Sequence, residues 1–247
     1  MSAVRILASV FVCAMALAGA ASAAEPVDLL LVLASDVSRS VDAAKFKLQR
    51  DGYVAAISNP RVIDTIRSGP HGRIAICFVE WSGVGAQKVV IDWTLIDGAK
   101  TAQEFTSQLD EAQRSFADRT SISGGIDFAM TQFERAPFQS TRRTIDVSGD
   151  GTNNSGRDVT AARDDAVAQG VTVNGLVILS EQPLSWNADH TNPPGGLEAY
   201  YRNNVIGGPG AFVMVAENFN AFGQAILNKL IAEVAAAGAR RHATAGQ

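Results

Sequence analysis

The sequence predicts an α/β fold: a doubly wound, mostly parallel six-stranded sheet with one antiparallel edge strand and helices on both faces. Three observations carry this expectation. Continuously apolar, strand-like runs alternate with stretches of helical period. Those runs lack the polar alternation of a sheet wetted on one side, so both faces must be covered. One pair of strands is joined by so short a turn that it must run antiparallel, because a parallel return needs about a dozen residues.

Val27 to Ala34 (VDLLLVLA) is the first buried strand. Val41 to Ser58 follows as a helix, with Phe46, Leu48, Tyr53, Val54 and Ile57 at helical spacing, and Asn59-Pro60 reads as its end. Arg73 to Trp81 is the second strand and Lys88 to Trp93 the third, joined through the turn Ser82 to Gly85. Helical period then covers Thr101 to Phe116 and Ile122 to Phe133, with the polar loop Arg119-Thr120-Ser121 between them. Arg143 to Ser148 is the fourth strand, Asp158 to Ala168 a helix closed by Gly170, Val171 to Leu179 the fifth strand, Ala211 to Val215 the sixth, and Phe219 to Ala235 the last helix. The Pro-rich stretch Glu181 to Gly210 reads as a surface excursion around a short helix near Leu197 to Asn203. This is the pattern of a Rossmann-like sheet, in which ligands sit beyond the carboxyl ends of the strands.

Arg5, the apolar run Ile6 to Ala20 and the small residues Ala21-Ser22-Ala23-Ala24 form the pattern of a signal peptide over 1–23, cleaved after Ala23. The run falls short of the roughly 20 apolar residues that span a bilayer, so no membrane span is expected after removal. The expected domain then covers 24–238, followed by a flexible Ala-rich tail, 239–247, and the expected location is periplasmic or secreted. Cys13 would leave with the signal, and Cys77, set among apolar residues, reads as a small buried hydrophobe. The mature chain would keep 20 Lys and Arg (21 less Arg5) against 25 Asp and Glu. No basic stripe is present to neutralise phosphates, which argues against a nucleic acid partner.

Asp36, Ser38 and Ser40 directly follow the first strand, placing one carboxylate and two hydroxyls in the loop at its carboxyl end. These are hard oxygen donors of the kind that magnesium takes, although Asp and Ser before a helix also serve as caps. The fourth strand ends in Ser148-Gly149-Asp150-Gly151. In a doubly wound sheet the first and fourth strands flank the switch point, so Asp150 would face Asp36, an arrangement costly without a cation or shared proton between the carboxylates.

With these residues in place, the chain resembles the von Willebrand factor A family, including integrin inserted domains. Their metal-ion-dependent adhesion site reads Asp-x-Ser-x-Ser, then a loop Thr, then a strand-end Asp-Gly. Asp36, Ser38 and Ser40 match the first part, Asp150-Gly151 the last, and Thr120 sits where the family places its Thr; the resemblance spans about Val27 to Val215. It implies that Ser38, Ser40 and Thr120 donate hydroxyl oxygens to one divalent cation (Mg2+, or Mn2+ or Ca2+), and that Asp36 and Asp150 act directly or through water. A carboxylate from a protein partner would complete the shell. It also implies binding rather than turnover, and places the chain among exported bacterial proteins carrying such a domain. Two departures stand out: Asp118-Arg119 replaces the glycines many relatives have before the Thr, and Asp146 lies in the fourth strand, where apolar residues are usual.

Other readings compete. Asp146-x-Ser148-x-Asp150-Gly151 resembles the start of a calcium loop, but the twelfth position is Arg157 rather than the required Glu. Asn153 and Asn154 read as turn and cap residues. His71, His190 and His242 show no zinc-hydrolase pairing, and neither a Gly-x-Ser-x-Gly elbow nor a phosphate loop is present. A metal-dependent phosphoesterase is the alternative enzyme reading, weakened because Ser38 stands where such folds favour a second Asp. A metal-free structural domain, its polar loops merely capping helices, is the third.

Overall fold

In the computed structural model, which describes residues 24–180, 184–185 and 187–244 (side chains to 235), the sheet is the predicted one. The proposed signal, 1–23, and the first residues of the excursion lie outside the described residues. In chain order the elements are β1 (Glu25–Pro26), β2 (Leu30–Asp36), α1 (Ala43–Ile57), α2 (Pro60–Arg67), β3 (Ile74–Trp81), β4 (Gln87–Ile96), α3 (Ala99–Glu111) and α4 (Ile122–Glu134). There follow β5 (Phe138–Gln139), β6 (Arg143–Gly149), α5 (Val159–Ala168), β7 (Val171–Ile178), α6 (Ala188–Thr191), α7 (Leu197–Tyr200), β8 (Val213–Ala216) and α8 (Phe222–Thr244).

Six strands form one sheet in the order β4-β3-β2-β6-β7-β8, with only the β3–β4 edge pair antiparallel. All seven residues of β2 are buried. Leu29, Leu31 and Leu33 join one core with α1, α2, α3 and α8, whereas Leu30, Val32 and Ala34 join the other with α4 and α5. Alternate residues of one strand thus feed two apolar layers, which is why the run is continuous rather than alternating. The chain crosses from β2 to β3 on one side and reaches β6 on the other, so the switch point falls between β2 and β6.

Several boundaries differ from the sequence reading, each for a local reason. Asn59-Pro60 ends α1 but also starts a second helix, α2: the Asn59 side chain accepts from Arg61 N at 2.9 Å and Pro60 occupies the first turn. The helix expected to reach Phe116 stops at Glu111, because the buried Glu80 carboxylate takes the Ser115 N–H at 2.7 Å and draws the chain into an extended path. The short helix after Leu197 continues as a π-turn over Tyr201–Val205, and α8, preceded by a 3-10 turn (Phe219–Ala221), runs past Ala235 to Thr244. The small β1–β5 pair was not anticipated. Among the described residues no helix is long and apolar enough to cross a membrane.

Candidate metal centre

β2 and β6 run in parallel register, Ser35 opposite Ser148, and deliver their carboxyl-terminal loops side by side. Asp36 closes β2, and its Oδ1 accepts the Ser38 N–H at 2.7 Å, a short turn that folds Ser38 and Ser40 back over the strand end. The hydroxyls of Ser38 and Ser40 are 3.1 Å apart, and Ser40 Oγ donates to Asp150 Oδ1 at 2.5 Å. This bond joins residues 110 positions apart and ties the β2 loop to the β6 turn. Asp36, Ser38 and Asp150 are fully buried, with Ser40 at 6% exposure.

Thr120 reaches the same cleft from the α3–α4 loop and is 2% exposed. Its N–H donates to Asn154 Oδ1 at 2.9 Å, and its carbonyl accepts from Asn154 N at 2.9 Å. Asn153 Oδ1 likewise accepts from Ser123 N, so the two asparagines read as turn and cap residues clamp the Thr120 loop to the turn after Asp150. The Asp118-Arg119 departure is accommodated: Arg39 N donates to the Asp118 carbonyl at 2.8 Å, stitching the loop to the one carrying Ser38 and Ser40.

Four side chains that the sequence reading left without a role converge here. His190, 2% exposed, brings Nε2 within 3.2 Å of Thr120 Oγ1 and donates no room to spare: a Cβ on Gly151 would meet its ring at 2.3 Å. Arg114 donates to the carbonyls of Val37 and Ser38 at 2.7 and 2.9 Å, fixing the β2 loop from outside. Lys45 Nζ donates to the Ser40 carbonyl at 2.8 Å and stands 3.7 Å from Asp150 Oδ2, an ionic contact too long for a hydrogen bond. Tyr201 lies fully buried where a Cβ on Gly149 would sit 2.6 Å from its hydroxyl and 3.1 Å from Asp36 Oδ2. Arg114, His190 and Tyr201 could not be read from local spacing, since each comes from a segment distant in sequence, whereas Lys45 lies five residues past Ser40.

The electrostatics follow from burial. Desolvation first, and then the Asp150 charge, push the Asp36 carboxyl up to about 8. Asp150 is raised as well, by desolvation, against the Ser40 hydrogen bond and the nearby Lys45 and His190. His190 is held below the usual imidazole range by burial, with Asp150 opposing. One oxygen of each carboxylate, Asp36 Oδ2 and Asp150 Oδ2, is buried without a hydrogen-bond partner among the described residues. Burying such atoms unpaired is costly. Among the described residues no group of three His, Cys, Asp or Glu side chains is placed to hold a metal ion, so the candidate donors here are hydroxyls and two acids. Above them opens a cleft of about 360 Å3, edged by Arg39, Arg119, Asn154 and Asn187.

Fold and strand-end loops together define a von Willebrand factor A fold. The chain is similar to proximal thread matrix protein 1 from the mussel byssus (TM-score 0.55, 14% identity, covering 83% of this chain and 46% of that one). It is also similar to the pilus adhesin SpaC from Lactobacillus rhamnosus GG (TM-score 0.58, 12% identity, 85% and 31% covered). A von Willebrand factor type A structure from Catenulispora acidiphila matches at TM-score 0.51 with 16% identity, covering 87% of this chain and 43% of that one. One structure of the byssus protein (TM-score 0.56, 14% identity, 86% and 47% covered) is described as having a zinc-occupied metal-ion-dependent adhesion site. The chain spans less than half the length of each of these proteins. No curated protein matches it. The chain belongs to the family described as "Protein of unknown function (DUF1194)", whose model matches residues 26–238.

Proposed function

We propose that this protein is an exported binding module, periplasmic or secreted, that holds one divalent cation through Asp36, Ser38, Ser40, Thr120 and Asp150 and captures an acidic group of a protein partner there. The observation that carries the reading is the pair of buried, unpartnered oxygens, Asp36 Oδ2 and Asp150 Oδ2, on adjacent strand ends with the buried hydroxyls of Ser38 and Ser40, under a cleft lined by Ser40 and Thr120. Two carboxylates that repel each other, set among neutral oxygen donors, suit a hard cation, with Mg2+ the first choice and Mn2+ or Ca2+ substitutes. When bound, the cation supplies a Lewis-acidic position that neutral hydroxyl ligands leave electrophilic enough to accept an outside carboxylate.

The chain's own residues prepare that position. Asp36 Oδ1 is committed to the Ser38 N–H, which leaves Oδ2 for the cation or its water. Ser40 now gives its proton to Asp150, so its lone pairs remain available. Arg114 and the asparagine clamp keep the loops in place when the repulsion between the acids is relieved. The byssus matrix protein and the pilus adhesin among the fold neighbours support binding over turnover. Isothermal titration with MgCl2 and MnCl2 tests the reading. A single site in the wild type, lost in Asp36→Ala and Asp150→Ala, is the expected result; heat identical to buffer in the wild type would sink it.

A further inference from the structure

The rim of the cleft carries information about the partner that the centre does not. Arg39 stands between Ser38 and Ser40, with its side chain 69% exposed, and its nearest acid, Asp118, is 3.9 Å away and itself 58% exposed. Arg119, next to Thr120, is exposed and makes no hydrogen bond or ion pair among the described residues. Both guanidiniums line the cleft that holds Ser40 and Thr120. Within and around it, four cations (Arg39, Lys45, Arg114, Arg119) face three acids (Asp36, Asp118, Asp150). A bound divalent cation would add to this positive excess, on a protein that is acidic overall.

Resting on the function proposed above, we infer that the cleft recognises an acidic peptide segment bearing two nearby carboxylates: one for the central cation, the second for Arg39 and Arg119. Guanidinium forks bind carboxylates bidentately, so two exposed guanidiniums beside a cation, Arg39 held only by a long contact with Asp118 and Arg119 by none among the described residues, select against a single-acid ligand. A cleft of about 360 Å3 is at the small end for ligand sites and takes a few side chains of a segment rather than a folded surface. Exposed arginines also steer an acidic segment toward the site, which makes its capture salt-sensitive.

The test is to pan a random heptapeptide phage library on the manganese-loaded full chain, following manganese binding separately by electron paramagnetic resonance. The wild type is expected to enrich peptides with two acidic residues within three positions of each other. The double variant R39Q/R119Q is expected to bind the best of them at least tenfold more weakly, while its manganese affinity holds or tightens because two like charges have left. Enrichment of single-acid or acid-free peptides, equal binding by the double variant, or free glutarate binding as tightly as the peptide would each overturn the inference. If manganese binds but pairs of acids are not selected, only this inference fails; if manganese does not bind, the reading beneath it fails too.

Discussion

At the scale of single residues, the centre depends on neighbours that hold the proposed ligands in place without being ligands themselves. His190 meets Thr120 Oγ1 at 3.2 Å, and its other ring nitrogen lies 3.3 Å from Thr152 Oγ1. An imidazole fixed at both ends sets the direction of the threonine hydroxyl, as outer partners of metal ligands commonly do, and losing such a partner costs about 10- to 100-fold in affinity. His190→Ala should therefore weaken Mn2+ binding about tenfold by titration calorimetry, whereas Thr120→Ala should do so at least as strongly; a His190→Ala variant with unchanged affinity would remove the histidine from the site. A second residue-scale case lies away from the cleft. Asp146, the acid in a strand where an apolar residue is usual, is fully buried with Lys229 Nζ 2.8 Å from its Oδ1, and Lys229 also meets Glu233. Burial, and then the Glu233 charge, push Asp146 up to about 7, with Lys229 opposing; Tyr53 is the other titratable group felt across this face. A carboxyl raised in the folded state stabilises while protonated, so this contribution is present at about pH 4 and lost as pH rises through about 7. Asp146→Asn should flatten the fall in melting temperature between pH 5 and 8 and leave the variant at least as stable as the wild type at pH 8. A steeper fall in the variant would contradict it.

At the scale of elements, close approach decides what the sequence left open. Gly52 sits inside α1, where a helix interior ordinarily gains about 0.5–1 kcal/mol from alanine. Here a Cβ would stand 2.6 Å from Phe222 Cδ1 and 3.1 Å from Gly223 Cα, at the crossing of α1 and α8. The sign therefore reverses: Gly52→Ala should destabilise by about 1–3 kcal/mol in urea unfolding, the usual cost of overpacking, and a gain in stability would show that the helices part freely. The same helix shows why some elements were legible and others not. Strands announced themselves because β2 and β3 are apolar on both faces and β7 mostly so, and because β6 alternates Ile145 and Val147 with Thr144, Asp146 and Ser148; the β3–β4 hairpin fixed the antiparallel edge. α2 was hidden because Asn59-Pro60 carries a stop and a start signal in the same two residues. The end of α3 was missed because it is set by Glu80, thirty-odd positions upstream, whereas helical period alone continues to Phe116. The candidate site divides in the same way. Asp36, Ser38, Ser40 and Asp150 sit on loops whose placement follows from strand order, so residue type and position were enough to bring them together. Arg114, His190 and Tyr201 reach the site through tertiary packing, and no local spacing marks them; Lys45 is local, on the helix just after Ser40.

At the scale of the whole molecule, the centre is where separate parts of the chain are held together. The β2 loop, the α3–α4 loop, the β6 turn and the α6 segment each contribute a side chain within hydrogen-bonding reach of another: Ser40 to Asp150, Thr120 to His190, Asn154 to Thr120. In the unfolded chain the five proposed ligands are scattered between positions 36 and 150, so an ion held by all of them would bind the folded state alone. Such a ligand stabilises by about 2.7 kcal/mol at a free concentration one hundred times its dissociation constant. For a domain of this size each kcal/mol moves the melting temperature by about 2–4 °C, which gives an expected rise of roughly 5–10 °C when magnesium is added to chelator-treated protein. The burial cost and mutual repulsion of Asp36 and Asp150 set the starting point: on the proposed reading they would depress the metal-free protein, and the cation would relieve them. In chelator above about pH 8, where Asp36 is ionised, Asp36→Asn should consequently melt at or above the wild type, since one buried charge is gone, and it should show no rise with magnesium. The two measurements are independent, because the first reads repulsion between the acids and the second reads the cation. A wild type whose melting temperature in scanning calorimetry is the same in magnesium and in chelator, with Asp36→Asn less stable than either, would make the five oxygens a hydrogen-bonded cap on two strand ends and nothing more.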